Sequence, residues 1–244
     1  MLMDQRGVDT GTGPCRPPGM PAEVPAAIQT YLDGFRAAAE IMRGLITSVG
    51  VARTGSPSGY DERLLTGLLG QALARQHHAG SGWWIIPEMP TRAAGTLAKL
   101  DLAVVSPEAV FLVEAKRFYT QDVRGGKAQQ LDALRSDLNR WRDPTRFEDL
   151  TAGRIDIGTR TVYTCCLVDC WSGYRRSSSG CVAVPADDPA YRSDLDAISA
   201  EVCNTAAFTW SAIVDLTHTA RNGTSPWGYW WLTGIGPLHL NGQV

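Results

Sequence analysis

The chain has 244 residues, of which 44% are hydrophobic and 20% charged, and its formal net charge is −2. This composition is typical of a globular protein whose core needs no disulfide, and the low charge excludes a polycation. No apolar run is long enough to cross a bilayer and no signal peptide precedes the first helix, so we expect a soluble cytoplasmic protein.

Two helices are predicted near the start of the chain. They follow residues 1–25, which are rich in Gly and Pro, lack periodicity and are expected to be a disordered tail. Apolar residues recur at the helical period from Ala26 to about Val49, which predicts the first helix. The second helix is predicted to begin near Ser58 to Tyr60 and to run to about His77.

The elements that follow are predicted from apolar runs and from the residues that break them. Prolines at positions 87 and 90 are expected to stop a short strand at Trp83–Ile86. The other predicted elements are strands at 99–105, 109–117, 161–169 and 228–232, and helices at 126–141 and 194–207. We therefore predict a single α/β domain over residues 26–244, whose core order is helix, strand, strand, strand, helix, strand.

Three charged residues interrupt two of the predicted strands. Asp101 lies between two leucines in the first of these strands. Glu114 and Lys116 lie two residues apart in the next strand, so their side chains share one face. A chance match or a solvated salt bridge is the alternative for a bare Asp, Glu, Lys triplet, but the apolar flanks favour a functional site.

The two strands are predicted to form an antiparallel hairpin whose register brings the acids together. If Ser106–Ala109 is a four-residue loop, Val105 faces Val110 and Asp101 faces Glu114. The Cβ atoms of such a pair lie about 5 Å apart. Two carboxylates this close repel each other unless they are protonated or bridged by a cation, and oxygen ligands suit Mg²⁺ or Mn²⁺.

The segments Leu100-Asp101 and Val113-Glu114-Ala115-Lys116 resemble the motif of the PD-(D/E)xK nuclease superfamily. The resemblance covers roughly residues 58–170. It implies a restriction-endonuclease-like fold, with a mixed central sheet flanked by helices in α-β-β-β-α-β order. It also implies that Asp101, Glu114 and the Ala115 carbonyl bind Mg²⁺ or Mn²⁺ and that Lys116 serves the nucleophilic water. Leu100 replaces the proline of the motif, a position that varies widely in the family.

Further acidic and amide residues are candidates for the same site. Many members of the family carry a glutamate on the first core helix, and Glu62 matches it; a glutamate favoured by the helix dipole is the alternative. Some members use a glutamine on the helix after the third strand, which makes Gln129 and Gln130 accessory candidates, although exposed helical glutamines are common. Glu88, just after the first predicted strand, is a further accessory carboxylate.

Basic residues near the candidate site are candidates for contacting nucleic acid. Residues 116–176 contain 12 Lys or Arg against 8 Asp or Glu. Such an excess suits a phosphate-bearing ligand, but it is also common on solvated faces. The candidates are Arg117, Arg124, Lys127, Arg135, Arg140 and Arg142.

Cysteines and tryptophans near the end of the predicted core are expected to be structural. There is no CxxC pair and no zinc spacing with the histidines, which favours buried thiols. The residues expected to be buried on this basis are Cys165, Cys166 and Cys170. Core or dimer packing is favoured over base stacking for Trp227, Trp230 and Trp231.

The sequence thus predicts a Mg²⁺- or Mn²⁺-dependent endonuclease acting on nucleic acid. By the resemblance, DNA is favoured over RNA, a homodimer is expected because such sites commonly act in pairs, and partner proteins of a defence or repair system fit. One alternative is a non-catalytic restriction-endonuclease-like module that binds nucleic acid or a partner protein. Another is a different metal phosphoesterase or a small-molecule enzyme.

Overall fold

The computed structural model of the chain describes residues 24–49, 62–77, 80–93, 96–119, 129–140, 155–171, 174–177, 180–183, 189, 210–216, 218–219, 226–227 and 229–239. The tail predicted for residues 1–25 lies outside this part of the chain, except for its last two residues. The helix predicted for residues 194–207 also lies outside it. Within the described residues, no helix has both the length and the apolar character needed to cross a membrane.

Within the described residues, three helices form where the helical period predicts them. The bounds of α1, Ala26–Val49, match the prediction, and α2 spans Glu62–Gln76. The predicted start of α2 near residue 58 lies outside the described residues. The third helix, α3, spans Gln129–Arg140 and buries Leu134, one of the apolar residues of its periodic stripe.

A six-stranded mixed sheet organises the described residues. The strands in chain order are β1 (Trp84–Ala93), β2 (Thr96–Val105), β3 (Ala109–Tyr119), β4 (Thr161–Trp171), β5 (Tyr174–Ser177), β6 (Gly180–Ala183), β7 (Trp210–Asp215), β8 (His218–Thr219), β9 (Pro226–Trp227) and β10 (Tyr229–His239). The large sheet has the order β1-β2-β3-β4-β10-β7, while β5 pairs with β6 and β8 with β9. Within the large sheet β3 and β4 run parallel, and the other neighbours are antiparallel. Parallel neighbouring strands need a crossover connection. The helix α3 lies between β3 and β4 in sequence and packs on both strands.

The edges of the sheet differ from the prediction. The expected stop at Pro87 is wrong, because β1 continues through Pro87 and Pro90 to Ala93. In the described sheet, β1 is an edge strand and pairs on one side with β2. Proline is tolerated on such a strand because it has no N–H to donate and no strand on the outer side requires one. At the other edge, β7 (Trp210–Asp215) was not predicted. Its side chains alternate in part between buried and half-buried positions.

Apolar residues pack on both faces of the large sheet. On one face, α1 and α2 contribute to a core that includes Leu102, Phe111 and Trp231, named here the α1–α2 cluster. The second cluster, on the other face, contains Met89, Leu100, Ala103, Val105, Val110, Leu112, Ile155 and Val162. The predicted burial of Trp230 and Trp231 is confirmed, and the side chain of Trp227 lies outside the described residues. The sheet is therefore covered on both sides, as an α/β architecture requires.

The α1 and α2 helices approach each other closely at Gly34. A Cβ built there would lie 2.7 Å from Cγ of Leu73 and closer still to its Cδ2. Leu73 is fully buried, so it has no free space into which to move. On the same helix, a Cβ built at Gly44 meets nothing within 4 Å.

The predicted burial of the three β4 cysteines is confirmed: Cys165, Cys166 and Cys170 are thiols inside the sheet. Burial raises the pKa of Cys166 from its ordinary value of 9.0 to about 12. Burial also raises the pKa of the neighbouring Cys165, with a further contribution from Cys166. Both thiols are consequently held in their neutral form in the folded protein.

We expect Gly34→Ala to lower the free energy of unfolding by about 1–3 kcal/mol, because the added methyl group overpacks the contact with Leu73. Gly44→Ala is the matched control on the same helix, and it should raise the free energy by up to about 1 kcal/mol through helix propensity. Chemical denaturation of the three proteins measures both changes. Equal stabilities for the two variants would contradict the close packing of α1 on α2.

We expect the free energy of unfolding to fall as the pH rises above about 9. The unfolded chain then releases the Cys166 proton, while the folded chain keeps it until its pKa of about 12. Over that interval one thiol contributes a loss approaching about 1.4 kcal/mol per pH unit. Denaturation at a series of pH values measures the slope, and Cys166→Ala should show a shallower decline. Identical slopes for the two proteins would show that Cys166 is not buried as described.

Candidate functional site

The β2–β3 hairpin has the register predicted from its loop. Its pairs run from Val105–Val110 to Leu102–Val113. Ser106 holds the turn, because its main-chain N–H donates to the Ala109 carbonyl at 2.7 Å and its hydroxyl accepts from the Ala109 N–H at 2.8 Å. The hydroxyl is buried, so these hydrogen bonds form away from solvent and fix which residues oppose each other.

Asp101 lies just beyond the last of these pairs, and its carboxylate contacts β3. Oδ2 of Asp101 accepts a hydrogen bond of 2.7 Å from the main-chain N–H of Ala115. A side chain of β2 thereby satisfies a buried strand amide. The carboxylate is consequently placed against the main chain between Glu114 and Lys116.

The sheet is distorted at Asp101. Leu100 packs in the second cluster and Leu102 in the α1–α2 cluster, although residues two apart in a regular strand share one face. In the β1–β2 register Pro87 pairs with Leu102 and Met89 with Leu100, so Glu88 lies opposite Asp101. Glu88 has a φ of +46°, an unusual backbone conformation for a residue with a side chain. Such strain is concentrated at functional sites in proteins.

Glu114 and Lys116 face α3. Glu114 is only 3% exposed, and its Oε1 lies 4.0 Å from Nη1 of Arg140. Lys116 Nζ lies 2.9 Å from Oδ2 of Asp137. Oδ1 of Asp137 in turn accepts a hydrogen bond of 2.7 Å from Nη2 of Arg140. Four charges, two on β3 and two on α3, therefore form a continuous series of ion pairs, named here the β3–α3 charge series.

Arg117 is directed to the other face of the sheet. Its Nε lies 2.9 Å from Oδ2 of Asp169, whose side chain is fully buried. Strand alternation places both residues on the side of the α1–α2 cluster. Arg117 was predicted to contact nucleic acid. In the structure its side chain forms this core ion pair, and only 14% of it is exposed.

Glu88, the predicted accessory carboxylate, is paired at the surface. Its Oε1 lies 2.8 Å from Nε of Arg63 and its Oε2 lies 3.0 Å from Nζ of Lys99. Arg63 belongs to the first turn of α2 and Lys99 to β2. Glu88 thus links α2 to the sheet beside Asp101, with its charge already balanced by two cations.

The remaining predicted residues lie on α2, on α3 or outside the described residues. Arg135 is on α3 and pairs with Asp132 at 2.8 Å. Glu62 begins α2, and Gln129 and Gln130 begin α3, but their side chains are not among those described. The candidates wholly outside the described residues are Arg124, Lys127 and Arg142.

The sequence interpretation missed Asp137 altogether and considered Arg140 solely as a phosphate contact. A signal for both was present in the spacing. Asp137 follows the buried Leu134 by three residues and Arg140 follows Asp137 by three, so all three lie along one helix face. A charged pair on the buried side of a helix indicates a partner on the strand beneath it.

The donor set near Asp101 fits a hard divalent cation. Asp101 and Glu114 are carboxylates, and the carbonyl of Ala115 is a further oxygen on the same strand segment. Mg²⁺ retains several waters and needs few protein ligands, so two carboxylates suffice for it. Among the residues that the structure describes, no group of three or more Asp, Glu, His or Cys side chains is arranged to hold a metal ion.

Comparisons with family models, with curated proteins and with solved structures found no match to this chain.

Proposed function

We propose that this chain is a Mg²⁺- or Mn²⁺-dependent endonuclease that hydrolyses phosphodiester bonds of nucleic acid, DNA in preference to RNA. The observation that carries the proposal is the 2.7 Å hydrogen bond from the Ala115 N–H to Asp101. Through this hydrogen bond the Asp101 carboxylate contacts the β3 main chain at the residue between Glu114 and Lys116. The preference for DNA and a homodimeric assembly rest on the resemblance to the PD-(D/E)xK superfamily.

The element order supports the same proposal. From α2 onward the described elements run α2, β1, β2, β3, α3 and β4, the order that the resemblance implies. The three motif residues lie on the two central strands of this unit, β2 and β3. A restriction-endonuclease-like core is therefore our interpretation of the mixed sheet.

The side chains of the site have distinct roles in this proposal. Asp101 and Glu114, with the Ala115 carbonyl, would hold the cation, which when bound supplies electrophilic activation of the phosphodiester and of the attacking water. Water attacks phosphorus and releases a proton as the new P–O bond forms; the bond to one sugar oxygen breaks, and that oxygen takes up a proton. The Lys116 ammonium group offsets the charge that develops on the phosphoryl oxygens, and its effect is large because the site is partly desolvated.

A non-catalytic module with the same fold is the second candidate, and a specific observation favours it. Glu114 and Lys116 both have counter-charges on α3, as members of a structural ion-pair network would. Such a module would bind nucleic acid or a partner protein through other surfaces. The two candidates differ in whether the wild-type protein cleaves nucleic acid with Mg²⁺ or Mn²⁺.

We expect Asp101→Asn and Lys116→Met to lower the rate of Mg²⁺-dependent cleavage by about 100-fold or more, because each removes a charge used in the transition state. The asparagine side chain keeps an oxygen for the Ala115 N–H, so this variant should stay folded. The measurement is single-turnover cleavage of duplex DNA, single-stranded DNA and RNA with Mg²⁺, with Mn²⁺ and with a chelator.

Asp33→Asn is the control, because Asp33 is an exposed carboxylate on α1 that pairs with Arg36. It should cleave like the wild type, and thermal unfolding should show that all variants fold. A wild-type protein that leaves every substrate intact would favour the non-catalytic module. Cleavage that persists unchanged in both site variants would assign the activity to other residues.

A further inference from the structure

Asp137 contacts two cations through different oxygens. Its Oδ2 lies 2.9 Å from Lys116 Nζ and its Oδ1 lies 2.7 Å from Arg140 Nη2. A carboxylate held at both oxygens cannot rotate without losing a charge-assisted hydrogen bond. Arg140 therefore fixes the plane of the Asp137 carboxylate. This plane determines where the carboxylate holds the Lys116 ammonium group.

The environment of this contact differs from that of an ordinary surface pair. The side chains of Lys116 and Asp137 are 19% and 18% exposed. Asp132 and Arg135, like Asp137 and Arg140, form an i,i+3 pair on α3, but Asp132 is 64% exposed. Solvent and salt screen an exposed pair strongly and a buried one much less. Of these two pairs on α3, the one at Asp137 is thus suited to hold a side chain in a fixed orientation.

The series of ion pairs continues from Asp137 to the second charged residue of the site on β3. Arg140 reaches back to β3, where its Nη1 lies 4.0 Å from Oε1 of Glu114. Glu114 and Lys116 are two residues apart on β3 and share a face. One helix turn of α3 consequently contacts both charged members of the candidate site on β3.

We propose that Asp137 is a positioning residue for Lys116, and that Arg140 holds Asp137 in the orientation that this requires. The inference rests on the proposed nuclease function. Lysine has a long, flexible side chain, and an unrestrained ammonium group spends most of its time away from the reacting phosphate. By limiting its motion, Asp137 raises the fraction of molecules in which Lys116 lies beside the Asp101 and Glu114 carboxylates.

The first test measures the lysine itself and requires no catalysis. Reductive methylation with formaldehyde and a borane reductant, followed by mass spectrometry, reports how readily each amine reacts. We expect Lys116 to react slowly in the wild type and faster in Asp137→Asn. The 59% exposed Lys99 serves as the internal reference, with an unchanged rate. An equal rate for Lys116 in the two proteins would overturn the proposal.

The second test separates positioning from folding and binding. We expect Asp137→Asn to lower kcat by about 10- to 100-fold, as misplacement of a catalytic group does, with little change in KM or in Mn²⁺ affinity. Asp137→Glu should recover most of the loss, since it restores a carboxylate. Asp132→Asn is the matched control on α3 and should behave like the wild type.

The possible failures are distinguishable. If Asp137→Asn cleaves like the wild type while Asp101→Asn is inactive, the positioning role is wrong and the nuclease stands. If Asp137→Asn loses kcat, Mn²⁺ affinity and stability together, and Asp137→Glu does not restore them, Asp137 has a structural role alone. If the wild type does not cleave nucleic acid at all, the proposed function fails and this inference fails with it.

Discussion

The register of the β2–β3 hairpin is the constraint on which the candidate site depends. Side chains alternate between the two faces of a strand, so a slip of one residue would turn Glu114 and Lys116 away from α3. The buried hydroxyl and amide of Ser106 fix this register at the turn. Farther along, Asp101 extends the contact between the strands through its side chain, at the point where the main-chain pairing ends.

The middle strands of the sheet carry charge on both faces, balanced differently on each. On the α1–α2 side, Arg117 and Asp169 form an ion pair inside the core. Removal of one partner from such a pair typically costs about 3–5 kcal/mol, because it leaves a buried charge without its counter-ion. On the other side, the β3–α3 charge series joins Glu114 and Lys116 of the candidate site to α3. In the first arrangement each charge offsets the other inside the core, and in the second the Glu114 and Lys116 side chains contact α3.

Much of the fold could be predicted because local patterns determine it. The helical period set the bounds of α1, and loop length together with two apolar runs set the hairpin register. Tertiary context decided the rest. The prolines of β1 are tolerated because that strand lies at the sheet edge, which its own sequence does not reveal. Asp137 was missed because the crossover from β3 to β4 decides which face of α3 meets β3. In the sequence, this face is indicated by the three-residue spacing from the buried Leu134 to Asp137.

We propose that Asp101 and Glu114 bind one divalent cation jointly, and Mn²⁺ binding measured by electron paramagnetic resonance tests this directly. The experiment uses the wild type, Asp101→Asn and Glu114→Gln, without nucleic acid. A shared site predicts that the wild type binds Mn²⁺ and that each single substitution weakens this binding strongly. Unchanged Mn²⁺ affinity in both variants would contradict the claim, whatever activity the protein has.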